Sequence, residues 1–143
     1  HYDGHRACTV SLTPDETKKY NYLCPSCGRN VTVGVMHRVD LLADRKHGYK
    51  PQGAPPYHSI IPLPEIISEI IRVGVNSKAV ASVYGDMIEK LGNEFHILME
   101  ASLADIEKAS SSLLKEAIAK MRKGKIHITP GYDGEFGKIA VFS

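Results

Sequence analysis

Apolar residues recur at three- and four-residue intervals through the middle of this chain and alternate with polar ones near its two ends. The helical regime opens at Pro62-Leu63-Pro64-Glu65, with Pro64 at or near the first helical position, and continues through a stripe of Ile66, Ile67, Ile70 and Ile71 that Gly74 is expected to stop. With Asn76 or Ser77 as N-cap, Val80, Val83, Tyr84, Met87, Ile88 and Leu91 hold a single helical face up to Gly92. Ser102 followed by Asp105 predicts another helix start. Leu113, Leu114, Ala117, Ile118 and Met121 form a further stripe closed by Gly124. Residues 94–100, with Phe95, Ile97, Leu98 and Met99, admit a helical turn or a buried strand, and we read them as strand.

The ends of the chain follow other rules. Residues 7–12 alternate like a short strand, and Thr13-Pro14-Asp15-Glu16 predicts an N-cap with proline at the first helical position and a brief helix toward Tyr20. Met36, Val39, Leu42 and Ala43 share a face of a predicted helix over 34–46, with Arg38, Asp40, Arg45 and Lys46 off that face and Gly48 at its end. The proline- and glycine-rich residues 48–58 predict an irregular connector. Residues 125–129 and 138–142 are two alternating runs around Pro130-Gly131-Tyr132-Asp133-Gly134-Glu135-Phe136-Gly137, a hairpin with a long tip. The expected architecture is α+β: a small zinc-knuckle lobe over 1–33, a helix and connector over 34–58, and a mostly helical domain over 59–143 ending in a β-hairpin.

The lobe has little apolar material of its own, and its cysteines supply the reason it can fold. His5-x2-Cys8 and Cys24-x2-Cys27 are two knuckles, each presenting two side chains to one cation, and together they complete a tetrahedral set for a structural Zn2+. Gly28 is placed to take a positive φ just after the second pair, and Pro25 fixes the chain between the two sulfurs. His37 competes with His5 as fourth ligand, and His1 does so more weakly. Inert buried cysteines or a Cys24/Cys27 redox pair are the alternatives, although no βαβ pattern surrounds the pair as a thioredoxin-like setting would require.

Length and charge narrow the class. A chain of 143 residues builds one core, or one core with a metal-stapled lobe, and its beginning at His1 suggests a piece of a longer protein. No apolar run approaches membrane-spanning length, so no membrane partner is expected, and three cysteines at metal spacing favour a reducing, cytoplasmic setting over a disulfide framework. The net charge of +2 is unevenly spread: residues 29–50 carry five Lys/Arg against two acids, residues 60–108 four against eight, and residues 110–143 six against three. Two basic stretches flanking an acidic one would suit a phosphate backbone, or are ordinary solvated faces.

Two segments could carry function beyond the metal. Gly74-Val75-Asn76-Ser77-Lys78-Ala79 loosely resembles a helix-hairpin-helix turn, in which amides at a helix start and a lysine grip phosphate, but a glycine stop and polar cap explain the same residues. At the hairpin tip, glycines allow close backbone approach to a flat ligand, and Tyr132 or Phe136 could stack on a base. A bulged loop whose aromatics cover the core is the alternative. Asp133, Glu135 and nearby His127 form no nucleophile constellation, so no catalytic residue is assigned.

The succession His1-Tyr2-Asp3-Gly4-His5-Arg6-x-Cys8, Cys24-Pro25-x-Cys27-Gly28, Val33-Gly34-Val35-Met36-His37-Arg38, Leu42-Ala43-Asp44-Arg45, Pro55-Pro56-Tyr57-His58-Ser59-Ile60-Ile61-Pro62-Leu63-Pro64-Glu65, Gly74-Val75-Asn76-Ser77-Lys78 and Pro130-Gly131-Tyr132-Asp133-Gly134-Glu135-x-Gly137 resembles the carboxy-terminal part of endonuclease Q. The resemblance covers essentially the whole chain. It implies a DNA repair endonuclease that incises 5′ of deaminated bases and abasic sites, using metal ions in an amino-terminal phosphoesterase domain of the polymerase-and-histidinol-phosphatase (PHP) type that would lie upstream. The present chain would then be inactive alone and would grip DNA and read the lesion. The resemblance matches His5, Cys8, Cys24 and Cys27 to the zinc lobe and makes Met36-His37-Arg38 and the Gly131–Gly137 tip the expected DNA-facing blocks, with Arg38 on phosphate and Tyr132 near the displaced base. Asn76, Ser77, Lys78, Lys125, Gly131 and Gly134 complete the candidate contacts. The implied partners are DNA containing deaminated bases and the PHP domain, with a sliding clamp or helicase as further candidates. A zinc-stabilised interaction module, or an accessory domain of a helicase-containing repair protein, is the competing reading.

Overall fold

The computed structural model describes residues 1–142, and they form two compact units, one of residues 1–56 with 128–138 and the other of residues 57–127 with the segment from 139. The first unit therefore takes in both the 34–56 stretch and the hairpin tip.

In the first unit, strand β1 (Asp3–His5) pairs antiparallel with β2 (Val10–Leu12), Asp3 opposite Leu12. A single 3-10 turn over Arg6–Cys8 joins them, with Thr9 in the left-handed region at φ 54°. Helix α1 (Pro14–Lys19) starts with the predicted N-cap and Pro14 in its first turn, and the structure adds a capping box: Thr13 accepts from the Glu16 N–H and Glu16 accepts from the Thr13 N–H. Beyond α1, Asn21 and Tyr22 are both left-handed, at φ 52° and 63°, which turns the chain back so that the Tyr22 N–H meets the Thr17 carbonyl. Leu12, Cys24 and Val31 make a core of three buried side chains, small enough that a metal has much to add.

Helix α2 (Val35–Leu42) is shorter than the predicted 34–46 and turned the other way. It buries His37, whereas Val39 and Leu42 of the predicted inner face are more than half exposed. The apolar spacing misled because the lobe spends its interior on a polar pair, Asp3 and His37, rather than on aliphatic side chains.

The second unit is helical. Helices α3 (Leu63–Ile71), α4 (Lys78–Leu91), α5 (Leu103–Ala109) and α6 (Ser112–Arg122) enclose Leu63, Ile66, Ile67, Val80, Met87, Ile97, Leu98, Ile106, Leu114 and Ile118, each contributing about 1.5–3 kcal/mol by burial. Ser77, Ser102 and Ser111 are the N-caps of α4, α5 and α6, and Gly92 at φ 90° follows α4. Three expectations change. Residues 94–100 are no strand: His96–Glu100 form a π-helical turn that sinks the adjacent Ile97 and Leu98 into the core, while Arg122 donates to both of their carbonyls at 2.9 Å. Helix α3 ends at left-handed Arg72 (φ 56°), two residues before Gly74. Leu113 stays half exposed outside its stripe.

The hairpin strands β3 (His127–Thr129) and β4 (Lys138–Ala140) pair with each other and are shorter than predicted. After β4, Val141 and Phe142 donate their N–H groups to the Glu69 carboxylate at 2.7–3.1 Å. No described helix is long and apolar enough to cross a membrane.

Candidate metal centre and the tip beside it

His5 closes β1, and the one-turn 3-10 segment that follows carries Cys8 round to the same side. Across from them, the Leu23–Asn30 bridge frames a tight turn in which the Gly28 N–H donates to the Cys24 carbonyl at 2.8 Å and the Cys24 N–H to the Arg29 carbonyl at 2.7 Å. Gly28 takes the predicted positive φ, 72°. One ligand atom from each of His5, Cys8, Cys24 and Cys27 falls within 4.8 Å of all the others, so the four side chains could hold a metal ion. A tetrahedral site with metal–sulfur bonds of about 2.3 Å needs sulfur–sulfur edges of about 3.8 Å, which this spacing reaches with small rotations.

Two thiols of the cluster are shifted in opposite directions. Burial opposes ionisation of Cys24, but hydrogen bonds to its sulfur from the Ser26 and Cys27 N–H groups, with Cys27 and His5 side chains alongside, outweigh it and bring the thiol down to about 7. Cys8 is pushed up to about 11, first by its hydrogen bond to Cys27 and then by burial, as expected when several thiols share one small space. His5 Nδ1 is 3.5 Å from the Cys27 sulfur.

His37 lies outside the four-residue cluster. Its Nδ1 lies 2.7 Å from the Asp3 carboxylate and its Nε2 3.2 Å from the Tyr22 hydroxyl, so both ring nitrogens are occupied inside the unit. The same contacts withdraw His37 from the predicted Met36-His37-Arg38 surface, of which Arg38 remains exposed without an ion pair among the described residues. His1 lies outside the cluster, its ring against Gly131.

The hairpin tip is built against β1. Tyr2 donates its N–H to the Gly131 carbonyl at 2.7 Å, and the Tyr132 ring lies so close to Gly4 that a Cβ there would come within 2.6 Å of it. Asp133 (φ 41°) and Gly134 (φ 80°) make the two-residue turn between Tyr132 and Glu135, which exchange both backbone hydrogen bonds. Arg6 clamps this turn, its N–H on the Asp133 carboxylate and its guanidinium on Glu135, each at 2.6 Å. The Arg6 and Thr32 hydrogen bonds hold Asp133 below the ordinary carboxylate range. Gly131 and Tyr132 are thus packing residues of the tip, Gly134 is exposed, and Phe136 is 88% exposed. An Asp-Gly pair between potential strand residues was the available sign of the tight turn.

In the helical unit, Asn76 and Lys78 are exposed, and Ser77 is engaged in capping α4, accepting from the Val80 N–H at 3.3 Å. Lys125 is also exposed.

Residues 62–125 match the family model described as the MJ0043 C-terminal domain. A crystal structure of the lesion-specific endonuclease PfuEndoQ from Pyrococcus furiosus superposes with a TM-score of 0.84 at 30% identity, covering 98% of this chain and 34% of that one. The chain is similar to a carboxy-terminal part of endonuclease Q. A second endonuclease Q structure, in complex with a 27-mer duplex substrate bearing an abasic lesion at the active site, matches with a TM-score of 0.79 at 30% identity over 98% of this chain and 35% of that one. The uncharacterized protein MJ0043 of Methanocaldococcus jannaschii is 40% identical over 140 residues, 98% of this chain. This chain spans about a third of the endonuclease Q structures and 18% of MJ0043.

Proposed function

We propose that this chain is the zinc-stabilised DNA-binding and lesion-recognition region of a repair endonuclease that incises 5′ of deaminated bases and abasic sites, with phosphodiester hydrolysis carried out by a PHP domain elsewhere in the longer protein. The observation that carries the reading is the likeness, over nearly the whole chain, to an endonuclease held on a lesion-bearing duplex. Three thiolates and an imidazole suit Zn2+, whose part here is to shape a lobe with little apolar core.

Charge in the first unit supports the same reading. Asp3, Asp15, Glu16, Asp40, Asp44, Asp133 and Glu135 each have a partner within that unit, whereas Lys19, Arg29, Arg38, Lys46, Lys50 and Lys138 form no ion pair among the described residues. Each of its acids has a partner, although Asp15 and Asp44 remain largely exposed, and six of its cations have no ion-pair partner, a balance that suits contact with phosphates. The contacts we assign are Arg38 and the Gly134 backbone in the first unit, with Gly131 and Tyr132 shaping the tip, and separately Asn76, Lys78 and Lys125 in the second, with Ser77 capping α4.

The test is fluorescence anisotropy on a uracil-containing duplex over a salt series. Affinity should fall steeply as salt rises, and Arg38→Glu with Lys125→Glu should weaken binding at least tenfold. Unchanged binding in the double variant rejects both contacts. A second reading, a module that docks a protein partner, is favoured by the exposed Val35, Val39 and Leu42 of α2, and it predicts association that barely responds to salt.

A further inference from the structure

Phe136 is 88% exposed, the highest exposure of a large apolar side chain among the described residues, and it directly follows the turn that pairs Tyr132 with Glu135. On one side Glu135 is fixed by two backbone hydrogen bonds to Tyr132 and by the Arg6 guanidinium. On the other, Gly137 lies so close to the opposite strand that an added Cβ would come within 2.9 Å of the Thr129 carbonyl. A phenyl ring on a loose loop folds back onto the nearest apolar surface, but this backbone holds the ring outward. Its immediate neighbours are polar or glycine: Gly134, Glu135, Gly137 and Lys138. A protein-docking patch would place further apolar groups around it on the tip. A single aromatic projecting from a rigid, polar, narrow ribbon is instead the shape that enters a base stack, where Phe, Leu, Ile, Met and Pro act as wedges between adjacent bases. Lys138, one step past Gly137 in the same unit, is exposed and forms no ion pair among the described residues, so it adds a positive charge near the ring for a phosphate.

We infer that Phe136 is the base-stack wedge of this chain, inserting at the lesion and filling the gap left by a missing or extruded base. The inference rests on the DNA-binding reading above and adds the residue that senses the lesion. An abasic site favours it, because the stack there is already broken and entry costs least.

The chain contains no tryptophan, so Phe136→Trp installs a unique fluorophore at the proposed contact. In the zinc-loaded chain, that variant should bind an abasic duplex within about twofold of the parent, and its emission should be quenched on binding, more strongly than with an intact duplex. Phe136→Ala should weaken binding to the abasic duplex at least fivefold, as expected where a base–aromatic stack is lost, while changing intact-duplex binding less than twofold. Far-ultraviolet circular dichroism and zinc content should match the parent in both variants. If the parent binds the duplex in a salt-dependent way but Phe136→Ala binds the abasic duplex equally well, or Phe136→Trp emission does not change at saturation, the wedge is overturned and the DNA-binding reading stands. If the parent does not bind duplex DNA, both fall.

Discussion

The Asp3 carboxylate accepts a hydrogen bond from His37 Nδ1 at 2.7 Å, and both residues are almost completely enclosed. Asp3 also accepts from the Gly34 N–H at 2.7 Å, so one carboxylate holds the first strand to both the start and the first turn of α2. Burial alone would raise its pKa. The adjacent Thr17 side chain, the Gly34 N–H and the His37 ring outweigh it and hold the group below the ordinary carboxylate range. A depressed folded-state value means that the stabilisation is present above the unfolded-chain pKa and is lost as pH falls through the lower folded one. Asp3→Ala strands His37 and the Gly34 N–H, and urea denaturation should show a loss of about 3 kcal/mol. A loss below about 0.5 kcal/mol would mean that solvent reaches the pair.

His37→Ala and His5→Ala separate support from ligation. With both ring nitrogens of His37 bonded inside the unit, its removal should lower stability but leave one zinc per chain by elemental analysis. His5→Ala removes one of the four clustered donors and should weaken zinc retention against a chelator by tenfold or more. Full zinc retention in His5→Ala would remove His5 from the ligand set.

Zinc uptake should release protons. Cys8, at about 11, is protonated at pH 7.5 in the metal-free chain and must ionise to bind, whereas Cys24, at about 7, is already largely thiolate. Titration with zinc in a weakly buffered indicator solution should release at least one proton per metal. Apparent affinity should fall as pH drops below 7, because Cys24 then also has to be deprotonated. A chelator should unravel the β1–β2 lobe, because Leu12, Cys24 and Val31 alone bury too little to hold it. Uptake without proton release would show that the thiols are not the ligands.

Much of this was legible from spacing, and the exceptions share a cause. The two ligand pairs, His5 with Cys8 and Cys24 with Cys27, the proline-led N-cap at Thr13 and the faces of α4 and α6 are local patterns, set by residues at most four apart. The inward turn of α2 depends on Asp3, thirty-four residues away from His37, and no period in α2 itself records that partner. The π-helical turn at 96–100 was hidden for a similar reason, since its carbonyls are satisfied by Arg122 from α6. Tyr132 attracted attention as a stacking aromatic, but Gly4, with no side chain in the way, lets the β1 backbone close over its ring and leaves Phe136 as the exposed one.

Arg122→Met tests how far the π-helical turn depends on that guanidinium. The substitution preserves much of the aliphatic stem but removes the donors to the Ile97 and Leu98 carbonyls, which lie beside fully buried side chains. Carbonyls left without a donor cost about 1–3 kcal/mol, so thermal unfolding of the helical unit should shift downward by several degrees. The metal centre draws all its ligands from other elements, so zinc content should not change. An unshifted transition would show that water replaces Arg122 without loss.

Gly4→Ala probes the bond between β1 and the hairpin tip. The added methyl would collide with the Val10 carbonyl and come within 2.6 Å of the Tyr132 ring, and neither is the free end of a flexible side chain. Either β1 parts from β2 or the tip lifts off, so the variant should lose about 1–3 kcal/mol by overpacking. Hydrogen exchange distinguishes the two outcomes. Faster exchange confined to the Tyr2 and Arg6 amides, whose acceptors lie on the tip, reports a lifted tip, in which case DNA binding should weaken even though zinc and the helical unit are intact. Exchange spreading through residues 3–12 reports a parted sheet, and zinc should then be lost with it, because His5 and Cys8 stand on that ribbon and its connecting turn. A variant as stable as the parent, with unchanged exchange at all of these amides, would show that Tyr132 does not press on β1 in solution.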